Sequence, residues 1–300
     1  MLSDIDRLLA SIEKQSVKDL EVLLVSQIDL PVAVDYNFRL KVLPQQSNGG
    51  ASAARNYGAK LASSRLFGFL DDDVVLDESW CELAISSFDI PSVGAVSGEA
   101  SVDLSKYRLD YIPRSLLWVV GGSYWVRASP KSVKAAAGMN FCVRADAFFK
   151  AGGFDERLGP FGDRPESKAW TRIGGEESDL AIRIGRCGSE ILFNPQMIVV
   201  HRLRRESVSL HSLAKRSLHV GRNRAYIHRK YGKYGAANDL STLRDMLGTS
   251  VAIIARLPLH PVSSWKALSF EVFIVAWFVL GYFTSFRSNF GGPGAPTRSS

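Results

Sequence analysis

Three hundred residues suffice for one large α/β domain or two modest ones around a full core. With 46% hydrophobic and 22% charged residues and a mean hydropathy near zero, the chain is not a disordered or low-complexity protein. A net charge of +7 calls for an anionic partner, and three scattered cysteines without zinc spacing argue against a disulfide framework and for a reducing compartment.

The chain opens on an amphipathic helix pattern, "MLSDIDRLLASIEKQ", rather than a signal peptide. Ser3 or Asp4 serves as its cap, and Leu8, Leu9 and Ile12 share one face. "LEVLLVSQ" and "RLKVLPQ" read as strands, the second ended by Pro44. "SNGGASAARNYGAKLASS" reads as a Gly-rich turn entering a helix of small residues, and "RLFGFLDDDVV" as a strand with three aspartates at its C-terminal end. This order predicts a right-handed βαβ sheet, in which ligands bind beyond the carboxyl ends of the strands.

Asp71 and Asp73, two positions apart at a strand end, point the same way and can close on one divalent cation carrying phosphate oxygens. The same residues also fit a polar turn that caps the next element. Gly49 and Gly50 lead into a helix N-terminus that can receive an anion, with Arg55 in reach of a diphosphate; a plain glycine turn with a solvated arginine fits as well.

Residues 95–175 are less regular. "LLWVVGGSYWV" reads as an aromatic loop, and "GMNFCVRADAFFKAGGFDERLG" as a strand, a short helix and a turn. "GGEESDLAIRIGRCG" starts a helix whose first turn holds Glu176, Glu177 and Asp179; these fit either helix capping or a carboxylate raised toward general-base duty by its neighbours. "EILFNPQMIVVH" is a strand ending at His201, and a strongly basic stretch follows to residue 233.

"ALSFEVFIVAWFVLGYFTSF" is almost wholly apolar, but its uncharged run of roughly 15 residues is shorter than the about 20 a spanning helix needs. It fits a span with Glu271 at the headgroups, an interfacial helix or a buried core helix. "GGPGAPTRSS" is expected to be disordered.

Taken in order, "NGGASAARNYGAKLASSRLFGFLDDDV", "GMNFCVRADAFFKAGGFDERLG" and "GGEESDLAIRIGRCGSEILFNPQMIVVH" resemble family 2 glycosyltransferases over roughly residues 4–205. The resemblance implies an α/β, GT-A-like (Rossmann-like) mixed sheet flanked by helices, a nucleotide-sugar donor, and inversion at the anomeric carbon. It implies Mg²⁺ or Mn²⁺ held by Asp71, Asp73 and His201, with Glu177, beside Glu176, as the base. Asn48, Arg55, Asp71 and Asp72 fall on the donor, and Asp179 and Trp170 on the acceptor side. Relatives usually open with a strand of the type "VSVIIPTYNR", which this chain lacks, so a truncation or a displaced start is expected. Their acidic "DDGS"-like turn is replaced here by Ser26-Gln27.

The resulting expectation is a catalytic domain over 1–205, a basic and hydrophobic membrane-associated helical region over 206–290, and a tail over 291–300. The basic stretch and apolar end favour a lipid-linked or surface-glycan acceptor and an anionic membrane surface at the cytoplasmic face, with no nucleic acid. The rivals are a Mg²⁺-dependent phosphatase or phosphotransferase using an aspartate nucleophile, and a degenerate, non-catalytic membrane-bound partner.

Overall fold

The structure, a computed structural model, describes residues 2–28, 30, 35–45, 50–109, 111–123, 131–132, 139–159, 174–232, 248–255 and 258–287. The first element, α1 (Leu2–Glu13), buries Ile5, Leu8, Leu9 and Ile12, the stripe its three- and four-residue spacing predicts. Just past its end, the fully buried Gln15 donates to the Asp77 carbonyl at 2.8 Å and accepts from the Cys81 amide at 2.9 Å. The helix is thus pinned to the segment that follows the aspartates.

Next, β1 (Glu21–Ser26) and β2 (Arg39–Pro44) pair in parallel, followed by α2 (Gly50–Leu61). The aspartate segment is not one strand. β3 (Leu66–Leu70) ends, residues 71–73 turn, and β4 (Val74–Leu76) begins in another part of the sheet. α3 (Trp80–Ser87), β5 (Val93–Val102), β6 (Lys131–Ser132), β7 (Asn140–Arg144) and α4 (Ala145–Lys150) follow. After them come α5 (Glu176–Arg186), β8 (Glu190–His201), α6 (Leu210–Tyr231) and α7 (Pro261–Arg287).

The large sheet is mixed, in the order β3-β7-β5-β8-β4, with β6 added on β8 and β5–β8 its parallel pair. The β5–β8 register shifts between Gly98 and Glu99, opposite a stretch of β8 that contains Pro195. Proline has no amide to give the ladder, so the bulge falls where the sequence cannot pair. Asn140 secures this break: its amide donates to the carbonyls of Met197 (2.7 Å) and Glu99 (2.9 Å) and its oxygen accepts from the Trp80 indole (2.8 Å).

Helices cover both faces. On one, Phe67, Phe69, Phe148 and Phe154 meet mostly edge-on above α5's Leu180 and Ile184; on the other, α1 and α3 pack on Val74, Leu76, Val96 and Met197.

One expectation is corrected here. The predicted βαβ sheet is not continuous: among the described residues β1 and β2 form their own two-stranded sheet, and β3 pairs only with β7. A cavity of about 740 Å³ separates β1 from β3, lined by both strands and by α2. Within 206–290, α6 and α7 pack on an earlier part of the chain. Leu213 of α6 and Phe270 and Ile274 of α7 share a core with Leu116 and Val120. The tail expected over 291–300 lies outside the described residues.

Candidate active site

The small residues of α2 let it lie close to β1: a methyl group at Gly58 would touch Val25. Ser52 of α2 donates to the Leu158 carbonyl at 2.8 Å, so the helix is also tied to the loop before α5. These two contacts aim Arg55 across the mouth of the cavity. Its guanidinium donates to Asp71 (2.8 Å), Glu177 (2.8 Å) and Glu176 (3.3 Å) and lies over the Phe154 ring.

One cation therefore faces three carboxylates. Burial pulls the Arg55 guanidinium toward its neutral form, but Glu177, Asp71 and Glu176 together outweigh it and hold the charge. Burial, then the charge of Glu176, pushes Glu177 up to about 8 even though Arg55 acts the other way. Glu177 is thus held more weakly acidic than an ordinary glutamate.

On the other side of the aspartate turn, Asp73 lies 3.6 Å from His201 Nε2. The β4–β8 ladder sets this pair, because Val74 is registered against His201 and the Arg202 amide donates to the Asp73 carbonyl at 3.0 Å. Burial works to raise Asp73, but the nearby His201, with Arg204, wins and holds it below the usual range. Asp72 goes the other way: burial first, then Asp73 and Asp71, push it up, and it lines the cavity.

His201 is itself buried, and its Nδ1 has no hydrogen-bond partner, which leaves Nε2 as the atom that engages Asp73. Against the imidazole lies Gly121 at φ 83°, where a methyl group would overlap the ring. Gly121→Ala is expected to cost about 1–3 kcal/mol through this overlap and the left-handed backbone, read as a lower melting temperature.

The site residues expected from the sequence thus sort into groups. Arg55, Asp71, Glu176 and Glu177 come together, and Asp73 with His201 forms a second pair. Of the expected metal ligands, Asp71 is engaged by Arg55 while Asp73 pairs with His201, and no group of three metal-ligating side chains occurs among the described residues. Arg55, expected on a diphosphate, bridges the two acidic motifs in this structure.

Asp179, expected on the acceptor side, is fully buried. It accepts from Lys230 (2.6 Å), Tyr231 (2.6 Å) and Arg183 (2.8 Å), fastening α5 to α6. Asn48 and Trp170 lie outside the described residues. Ser26 and Gln27 line the cavity at the end of β1, where the Ser26 hydroxyl is spent locally on Ile28.

Sequence reasoning missed Arg204 and Arg216, whose charges act on the aspartate turn. Both lie in the basic stretch that was read as one block. The spacing of Arg204 three residues after a strand-ending histidine was the available signal.

The profile of Glycosyl transferase family 2 matches residues 2–148. A glucosyl-dolichyl phosphate glucuronosyltransferase of Haloferax volcanii is 26% identical over 159 residues, 52% of this chain and 49% of that protein. A pre-mycofactocin glycosyltransferase of Mycobacterium tuberculosis is 27% identical over 180 residues, 54% of this chain and 32% of that protein. The chain thus spans about half or less of the length of these relatives.

Among solved structures, a mannosyltransferase from Pyrobaculum calidifontis in complex with GDP-Man and Mn²⁺ superposes with a TM-score of 0.58 at 14% identity, covering 95% of this chain and 84% of that one. GalNAc-T7 with UDP, GalNAc and Mn²⁺ gives 0.50 at 16% identity, covering 81% and 51%. At these identities the likeness is one of fold, the GT-A arrangement of a mixed sheet flanked by helices.

Proposed function

Because the chain belongs to glycosyl transferase family 2 through residues 2–148, we propose that it moves a sugar from a nucleotide-sugar donor to an acceptor hydroxyl with inversion. One observation carries this reading: Arg55 joins Glu177 to Asp71 of the aspartate turn by two 2.8 Å hydrogen bonds, and Arg55, Asp71 and Asp72 line the cavity. An acidic base and a separate diphosphate-facing turn are the two roles glycosyl transfer requires.

In this reading the donor's nucleotide enters the cavity between β1 and β3, and its diphosphate faces the 71–73 turn. Glu177 takes the proton of the acceptor hydroxyl as that oxygen bonds to the anomeric carbon. The bond from that carbon to the diphosphate breaks on the opposite face, so the configuration inverts. Arg55 orients Glu177 through the 2.8 Å hydrogen bond and holds Asp71 in register with it. Glu176, buried at the start of α5, supplies the like charge that keeps Glu177 basic.

Asp73, a hard oxygen donor, would be the main ligand of a divalent cation such as Mg²⁺ or Mn²⁺, with His201 Nε2 beside it. When bound, that ion neutralises the departing diphosphate. Asp72, raised by its neighbours, lines the cavity as a polar contact for the donor.

For the acceptor we favour a lipid-linked or glycan hydroxyl at an anionic membrane surface on the cytoplasmic face. The dolichyl phosphate named for the Haloferax relative and the net charge of +7 support this choice.

The test is a screen of nucleotide sugars with and without Mn²⁺, following binding by calorimetry and release of nucleotide diphosphate. Binding of at least one nucleotide sugar that strengthens with Mn²⁺ is expected. A chain that binds none, with its fold intact by circular dichroism, would refute the donor assignment.

A further inference from the structure

α7 leaves much of its apolar surface outside. Its buried positions are Ser264, Glu271, Gly281 and Ser285 together with Ala267, Phe270 and Ile274, while Val262, Trp265, Val272, Val279, Leu280 and Phe283 stand exposed, four of them by 59–68%. A helix on a water-facing surface does the reverse and turns its apolar stripe inward. Near its C-terminal end the polar groups that meet α6 are used. Arg229 of α6 donates to the Ser285 carbonyl (2.7 Å) and hydroxyl (3.0 Å), and His228 Nδ1 lies 2.6 Å from the Tyr282 hydroxyl.

α6 and α7 also meet at very close range, because methyl groups at Gly221 and Gly281 would each collide with backbone of the other helix. The outward apolar face therefore belongs to a tightly packed pair and does not turn inward by repacking. Leu259, Val251 and Ile254, in the stretch just before α7, are exposed as well.

The helix is long and apolar enough to cross a membrane by length and composition, with only 28% of its most apolar window buried. Its packing rules the crossing out. α6 lies beside it from Leu213, which meets Phe270 and Ile274, to Arg229, which meets Ser285. That stretch of α6 carries Lys215, Arg216, Arg222, Arg224 and Arg229. A span would draw these charges into hydrocarbon, at about 2.5–3.5 kcal/mol each even on the mildest scale.

We propose that α7 lies in the plane of a lipid bilayer, with the Val262–Trp265–Val272–Leu280–Phe283 face immersed and α6 held above it on the water side. Charge complementarity favours a bilayer over another apolar occupant. Lys266 is exposed beside Trp265, Lys215 and Arg205 are exposed on the same C-terminal region, and the chain carries +7 overall. The seating also reaches the site. Lys230 and Tyr231 of α6 grip Asp179, two residues from Glu177, so a lipid-borne acceptor would be met one helix layer above its own membrane. The docking itself assumes nothing about sugar chemistry.

Vesicle sedimentation of the full chain tests the proposal, using phosphatidylcholine alone and phosphatidylcholine with about one third phosphatidylglycerol. The chain should pellet with the anionic vesicles and be released by alkaline carbonate. The Val272→Glu/Phe283→Glu double variant, changed only at exposed positions, should fold normally and bind about ten-fold or more weakly. Three results would overturn the proposal: no pelleting with either vesicle, retention through carbonate as for a spanning helix, or a concentration-dependent dimer in buffer that the double variant abolishes. None of these readouts depends on transfer activity, so a failure here leaves the donor assignment standing.

Discussion

Glu177→Gln should leave the fold intact and cut transfer by about 10²- to 10⁴-fold, the usual contribution of a positioned base. The amide keeps the size of the side chain and can still accept from Arg55, but it cannot take a proton. Since Glu177 is pushed up to about 8, the wild-type rate should climb with pH and level off above that value, and the variant's residual rate should lose that limb.

Stability responds in the opposite sense. A carboxyl raised from 4.5 to about 8 stabilises the folded chain fully below the lower value, and that contribution is lost as pH rises through the upper one. Melting temperatures of the two proteins should therefore coincide near the acidic end, with the variant the more stable at the alkaline end. A variant with full activity would remove Glu177 from the mechanism.

The second large effect is expected two residues away and has a different character. Asp179→Ala should cost about 3–5 kcal/mol, because Arg183 and Tyr231 would lose a fully buried carboxylate and Lys230 would be left with Asp155 at 3.4 Å. Denaturant titration would show it as an early midpoint, and activity should fall only in step with the folded fraction. A variant that melts like the wild type but transfers slowly would return Asp179 to the acceptor side, where the sequence had placed it. The contrast between the two positions follows from burial. Glu177 faces the cavity mouth through one arginine, whereas Asp179 is enclosed by three donors from two helices.

Much of this was legible in the sequence. Helix α1 and strands β1, β2, β7 and β8 follow directly from periodicity and turn residues, and the acidic first turn marked the start of α5. The three motif blocks carried the family resemblance. What escaped is long-range. Nothing local tells that Arg55 will be shared by carboxylates 16 to 122 residues distant, or that β4 will pair with His201 rather than extend β3. Pro195 offered a hint of the bulge in β8, since a strand that long cannot hold an unbroken ladder through proline. The outward apolar face of α7 was hidden for another reason. A run apolar on every side has no periodicity to read, and only the packing against α6 reveals which side faces out.

The separation of β1 and β2 from the main sheet bears on motion as well as shape. A two-stranded pair on its own is marginal in water, and this one leans on α1 and α2 rather than on a neighbouring strand. Protection against opening should therefore be graded across the molecule, highest at the β5–β8 centre and lowest at this outlying ribbon. Ser26 and Gln27 lie at the end of the ribbon, while Asp71 follows β3 of the large sheet and Glu176 and Glu177 start α5. The wall that would close over a nucleotide is then the part of the protein that opens at least cost, and capture of the donor would proceed by stilling that wall against an already rigid floor.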